Sequence, residues 1–191
     1  MKPTWQVLAD SFQDDPLNTF VFPDPEQRRR AGGRIYRDAV RLARLKGRID
    51  EIPGKGVALW LPPGDSLITR WDMLRSGMLL WPVAFGRGAI SRLLAADRDL
   101  SNAPGQAHDP DAWYLFMLAV DASARGQGMV RRLLTPVLEV ADATGVPVRL
   151  ETNSARNVPL YEHFGFRVTA HLNTPALLEQ WTLTRPPART R

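Results

Sequence analysis

No cysteine occurs among the 191 residues. That excludes a disulfide framework, a thiolate metal site and a cysteine nucleophile, and it suits a reducing compartment. No apolar run approaches the roughly 18 residues of a membrane-spanning helix. The opening MKPTWQVLADSFQDDP has no unbroken apolar stretch behind a basic end, so no secretory signal is read there. Zinc-finger, helix-turn-helix and aromatic RNA-platform patterns are missing too. The expectation is a cytoplasmic protein with no membrane partner, no metal and no nucleic acid. Under that reading the net charge of +5 reflects an arginine-rich surface or affinity for a small phosphorylated anion.

What is present suffices for a packed core. Hydrophobic residues make up 44% of the chain, and one domain over residues 1–185 with a loose tail at 186–191 is expected. Trp5 to Phe12 reads as a short helix ended by Asp14-Asp15-Pro16. Asp24 and Pro25 form a start signal for a long helix reaching Leu45 or Lys46, which Gly47 closes. On it Arg30, Arg34, Arg37, Arg41 and Arg44 recur at spacings of three and four, and Arg48 follows beyond Gly47. Ile35, Ala39 and Leu42 oppose them, with Tyr36, Val40 and Ala43 alongside. The arginine face is either solvated or a surface for an acidic partner. Two strands follow, Arg48 to Ile52 and Val57 to Leu61, around a turn through Pro53 to Gly56.

Residues 65–112 read as a helical insertion. One helix spans Ser66 to about Leu80, with Leu67, Trp71, Leu74 and Met78 near one face. Trp81-Pro82 breaks it, a second helix covers Val83 to Ala96, and a polar loop covers Asn102 to Asp111. The large apolar side chains are read as core, or together as the roof of an acceptor pocket.

The chain is organised around its next unit. An apolar strand, residues 113–120, stops at Asp121. A turn through Arg125-Gly126-Gln127-Gly128 leads into a helix of about 126–143, bent at Pro136. The opening N–H groups of a helix lack internal partners and sit at the positive end of its dipole. Glycines let an anion approach that backbone. Strand, glycine turn and helix therefore suit phosphate, although an ordinary connection has the same outline. Val146 to Leu150 reads as a strand running into Glu151-Thr152. A helical segment from Arg156 to Phe164 stops at Gly165, and Phe166 to Leu172 and Glu179 to Leu183 close the sheet.

Three segments in this order, LAV…RGQGMV, VRLETNS and RNVPLYEHFGF, resemble the GCN5-related N-acetyltransferase (GNAT) superfamily. The family's phosphate motif, Gln/Arg-x-x-Gly-x-Gly/Ala, is matched by Arg125, Gly128 and Val130, with valine where a small residue is usual. The Tyr-Glu-x-x-Gly-Phe segment is matched by Tyr161 to Phe166. Ala58 to Pro63 and Asp14-Asp15-Pro16 are similar to the puromycin N-acetyltransferase-like branch. The resemblance implies an α/β fold with a mixed, mostly antiparallel sheet of about six strands flanked by helices. The family's first strand has no counterpart before the first helix of this chain.

It also implies a function. Acetyl-CoA would be co-substrate and a small primary amine the acceptor, in a monomer or homodimer. The backbone from Leu118 through Ala119 to Val120 would hold the pantetheine arm. The amides of Arg125, Gly126, Gln127, Gly128, Met129, Val130 and Arg131 would hold the pyrophosphate, with charge from Arg125 or Arg131. Tyr161 would be the general acid, or else a packing residue. Glu151 would be the base, or else part of an ion pair or cap. Asn157 would orient Tyr161 or touch the cofactor, or else cap a helix. The alternative function is a binding module whose helix of residues 30–48 engages an acidic partner.

Overall fold

The computed structural model describes residues 1–101, 109–174 and 178–188. Three helices come first: α1 (Thr4–Ser11), α2 (Pro16–Val21) and α3 (Pro25–Lys46). The Asp15 side chain accepts from the Leu17 N–H, and the Asp24 side chain accepts from the Gln27 N–H; each cap precedes a proline at the first helical position. Helix α2 covers residues to which the sequence reading assigned no element. Six residues carry too little periodicity to announce a helix, and Asp15-Pro16 served there as a terminator.

The strands are β1 (Arg48–Ile52), β2 (Gly56–Leu61), β3 (Trp113–Val120), β4 (Val148–Thr152), β5 (Arg167–Asn173) and β6 (Glu179–Arg185). They form one sheet in the order β1-β2-β3-β4-β6-β5, and among the described residues β3–β4 is its only parallel pair. This is the mixed, mostly antiparallel sheet that the resemblance implied. Every residue of β2 is buried, because this central strand is covered on both faces.

Two cores flank the sheet. On one face Val57, Leu59 and Ala119 pack with Val7 and Leu8 of α1 and with Tyr36, Ala39, Val40, Leu42 and Ala43 of α3. The opposing arginines are largely engaged within the molecule. Arg30 pairs with Glu26, Arg34 and Arg41 approach the buried Asp38, Arg48 pairs with Asp50, and Arg37 lies 4.0 Å over the Trp5 ring. On the other face Ala58, Trp60, Leu115 and Leu150 pack with Leu133, Leu134, Val137, Leu138 and Ala141 of α6 (Met129–Thr144) and with Tyr161 of α7 (Val158–Glu162).

The insertion departs from the sequence reading in three ways. Helix α4 covers only Arg70–Ser76, held by a capping box between Thr69 and Asp72. It ends at Gly77, whose φ of 98° favours glycine, and a 3-10 turn at Met78–Leu80 leads into α5 (Trp81–Ser101). Trp81-Pro82 therefore starts a helix instead of breaking one, since proline is well tolerated in a first turn. The break inside α5 is at Gly86, φ 78°. Met78 is buried as expected, but Leu67, Trp71 and Leu74 are exposed and lie outside the core. The loop expected at Asn102 to Asp111 lies mostly outside the described residues, as does the tail beyond residue 188.

Helix α6 starts at Met129, three residues later than the pattern suggested, because Gly126 and Gly128 take left-handed φ values of 75° and 72°. It continues through Pro136. Val146 donates its N–H to the Ala141 carbonyl, closing α6, so β4 begins at Val148.

Candidate active site

Strands β3 and β4 pair only through Trp113–Val148, Tyr114–Arg149 and Leu115–Leu150. Strand β3 continues to Val120 and β4 to Thr152, so beyond Leu115 the sheet opens into a fork. On its outer side β3 stays paired with β2 as far as Val120 and Gly56. The Asp121 N–H donates to Lys55 O at 2.8 Å, toward β2. Backbone groups alternate between strand edges. Those of Val120 and Leu118 therefore face the fork, and those of Ala119 face β2. This brings Leu118 and Val120 to the position the resemblance implied and leaves Ala119 out of it. The Val120 carbonyl accepts from the Ser11 hydroxyl at 3.3 Å, which ties α1 to the end of the fork.

The turn after β3 is braced by Asp121. Its carboxylate accepts from the Ser123 N–H and hydroxyl and from the Lys2 ammonium at 2.6 Å. Lys2 foremost, then Ser123, hold the Asp121 carboxyl far below the usual carboxylate range. Within the turn, Arg125 N–H reaches Ala122 O at 3.5 Å and Gln127 N–H reaches Ala124 O at 3.4 Å. The Arg132 N–H returns to Gly128 O. Among the described residues, the amides of Gly126, Gly128, Met129, Val130 and Arg131 have no protein acceptor, and no side chain caps α6. Five N–H donors at the positive end of a 16-residue helix make an anion cradle. Arg125, Gly126, Gln127 and Gly128 are exposed, and a Cβ at either glycine would meet nothing within 4 Å. The Met129 side chain is buried, and Val130 packs partly against the α6 core. The Arg131 guanidinium lies 3.1 Å from the His163 ring and 5.8 Å over Phe164.

Tyr161 belongs to the same apolar cluster as Leu115 and Leu150, the last paired residues before the fork. Its ring meets Phe166 edge-on at 5.9 Å. Burial pushes its phenol well above the ordinary range, so it stays protonated. No hydrogen bond occupies that hydroxyl among the described residues. Asn157 does not cap α7; its amide donates to Thr152 Oγ1 at 3.0 Å, tying the 3-10 turn at Ala155–Asn157 to the end of β4.

Glu151 sits one residue past the last β3–β4 pair. Tyr114 donates to its Oε2 at 2.6 Å and Arg149 to its Oε1 at 2.5 Å. Both oxygens of the carboxylate are thus already engaged by donors. Tyr114 and Arg149 were not singled out in the sequence. Alternation does place Arg149 and Glu151 on one face of their strand, but only the strand register brings Tyr114 to them. Among the described residues no group of three or more His, Asp or Glu side chains could hold a metal ion.

Comparison with known proteins agrees with this geometry. Residues 89–168 match the model of the acetyltransferase (GNAT) domain. An uncharacterized N-acetyltransferase of Schizosaccharomyces pombe is 29% identical over 169 residues, covering 84% of this chain and 68% of that protein. The crystal structure of a histone acetyltransferase HPA2 and related acetyltransferase from Corynebacterium glutamicum is similar with a TM-score of 0.66. It is 22% identical and covers 98% of this chain and 91% of its own. An N-acetyltransferase from Staphylococcus aureus Mu50 is similar with a TM-score of 0.56 at 17% identity, covering 94% and 92%. The two solved structures speak for the fold, and the domain match and the yeast relative speak for the chemistry. On these grounds residues 89–168 match an acetyltransferase (GNAT) domain, and the chain as a whole has the GNAT fold.

Proposed function

We propose that the protein moves an acetyl group from acetyl-CoA to a primary amine of a small molecule, by direct attack in a ternary complex. The observation that carries this reading is the set of five unoccupied amides from Gly126 to Arg131, opening beside a parallel strand pair that parts after Leu115. Acetyl-CoA supplies the acyl group and departs as the thiol.

The amides of Gly126, Gly128, Met129, Val130 and Arg131 bind the diphosphate, and the exposed Arg125 adds charge at the rim. The fork-facing backbone of Leu118 and Val120 orients the pantetheine arm as an added strand edge would. The attacking amine forms a C–N bond as the C–S bond breaks. Tyr161, kept protonated by burial, donates to the departing sulfur. The amine's own proton must leave as well. Glu151 takes it through an ordered water, or holds the ammonium while bulk water carries the proton away. Its engagement by Tyr114 and Arg149 favours the second role, because both of its oxygens already accept hydrogen bonds.

The test pairs binding with turnover. Acetyl-CoA should raise the melting temperature, and a panel of small amines should release free thiol from it. Tyr161→Phe should retain the acetyl-CoA shift and lose about ten- to a hundredfold in turnover. An absent acetyl-CoA shift in the wild type would refute the cofactor assignment. An unchanged rate in Tyr161→Phe would refute the acid.

A further inference from the structure

Of thirteen exposed large hydrophobic side chains among the described residues, seven fall between Leu67 and Val83. Trp71 is 64% exposed and Val83 87%. A concentration of this kind on a protein surface marks an interaction site.

The polar groups of the same segment point the other way. The Lys46 ammonium of α3 donates to Leu67 O at 2.6 Å and pairs with Asp65 and Asp72 at 2.9 Å, although its side chain is only 5% exposed. Arg41 donates to Ser76 O at 3.0 Å, and the Trp81 indole N–H donates to the buried Asp38 at 2.9 Å. Ser66 and Ser76 are buried. The elbow formed by α4, the 3-10 turn and the start of α5 therefore packs Met73, Met78 and Trp81 against the core shared with α3 and turns its other large apolar side chains outward. Its hydrogen bonds are spent on α3, and Leu67, Trp71, Leu74, Leu80 and Val83 are held toward solvent. Ordinary amphipathic packing would place them the other way round.

Charge identifies the occupant. The two acids of this stretch, Asp65 and Asp72, share the single ammonium of Lys46, which leaves one negative charge uncompensated. Arg70, Arg75 and Arg87 are exposed and have no acidic partner among the described residues. Against that one negative charge stand three arginines, so the net charge around the apolar face is positive. A second copy would bring one arginine rim against another and be repelled. A protruding apolar face of Trp, Leu and Val side chains with a cationic rim matches the acyl boundary and headgroups of an acidic bilayer.

We propose that the α4–α5 elbow is a docking face for an anionic lipid surface. The protein would lie on that surface without crossing it, since no described helix is long and apolar enough to span a membrane. This departs from the expectation of no membrane partner, which rested on the absence of a spanning run. The inference stands apart from the acyl-transfer reading.

The experiment is co-sedimentation of the full chain with vesicles of phosphatidylcholine alone and with vesicles roughly 70:30 in phosphatidylcholine and phosphatidylglycerol. Binding to the mixed vesicles is expected, at least about tenfold stronger than to phosphatidylcholine alone and weakened by salt. Trp71→Glu and Val83→Glu alter exposed positions, so folding should persist, and each should weaken binding about tenfold or more. Removing Arg70, Arg75 or Arg87 should cost about fivefold apiece. The proposal is overturned if the mixed vesicles fail to carry the protein down. It is equally overturned if both glutamate variants bind as well as wild type, which would place the contact elsewhere. A concentration-dependent dimer lost in Val83→Glu, without vesicle binding, would assign the face to a second copy instead.

Discussion

The Tyr114 hydroxyl donates to the Glu151 carboxylate across 2.6 Å, bridging β3 and β4 where the two strands begin to part. Arg149 holds the other carboxylate oxygen at 2.5 Å. The fork of the sheet is therefore pinned by a small polar network, and the position of Glu151 is set by side chains on both strands.

Tyr114→Phe should cost about 2 kcal/mol, the worth of a hydrogen bond to a charged group. The same residue sets a pH dependence. Burial, then the Glu151 charge and hydrogen bond, push its phenol well above the ordinary value of 10.0. The folded state thus holds this proton more tightly than the unfolded state. The stabilisation is complete below pH about 10 and is lost as pH rises beyond it. Urea midpoints between about pH 8 and 11 should fall less steeply in Tyr114→Phe than in wild type. Parallel declines would show that the phenol does not titrate differently on folding.

Gly126→Ala and Gly128→Ala should each destabilise by about 1 kcal/mol, from left-handed backbone alone, because a Cβ there meets nothing within 4 Å. Acetyl-CoA affinity should fall more than stability does, by about tenfold, since the new methyl group stands beside the open amides. Calorimetric titration beside a melt separates the two. Equal affinity in both variants would place the diphosphate elsewhere.

Val130→Ala probes a departure from the family motif. The Val130 side chain packs partly against the α6 core, so its branch is directed away from the open turn. Shortening it should leave acetyl-CoA affinity within about twofold and cost about 1 kcal/mol of stability. A marked gain in affinity would show that valine obstructs the ligand.

Asp142→Asn tests the brace behind α6. Arg185 makes two hydrogen bonds to Asp142, at 2.7 and 2.8 Å, and these foremost lower the Asp142 pKa. A depressed folded pKa gives stabilisation above the unfolded value of about 3.8, lost as pH falls through the folded one. The variant should be about 1 kcal/mol weaker at pH 7, with the gap closing in acid. The Lys46 hydrogen bond and the Thr69 N–H hold Asp72 at about 2 and predict the same sign. A gap that persists in acid would mean that the loss is one of packing.

The amino-acid pattern alone placed the strands, the long helix α3 and the glycine turn, because these follow from short-range rules, whereas the mixed sheet that joins the strands was implied by the family resemblance. Asp24-Pro25 starts α3 and Gly145 ends α6 whatever surrounds them. The turn's open amides were legible because a helix start has free N–H groups wherever it occurs. The tertiary structure decided what depends on register and packing. Alternation along β3 aims Leu118 and Val120 at the fork and turns Ala119 away. Strand pairing delivers Tyr114 to Glu151 and converts a candidate base into a bridged carboxylate. The elbow shows the same limit from the other side. Leu67, Trp71 and Leu74 read as core in one dimension, yet α3 takes up polar groups of their segment and leaves these three outside while Met78 packs inward. A local pattern says which side chains share a face, and only the neighbours that the fold supplies say whether that face is turned in or out.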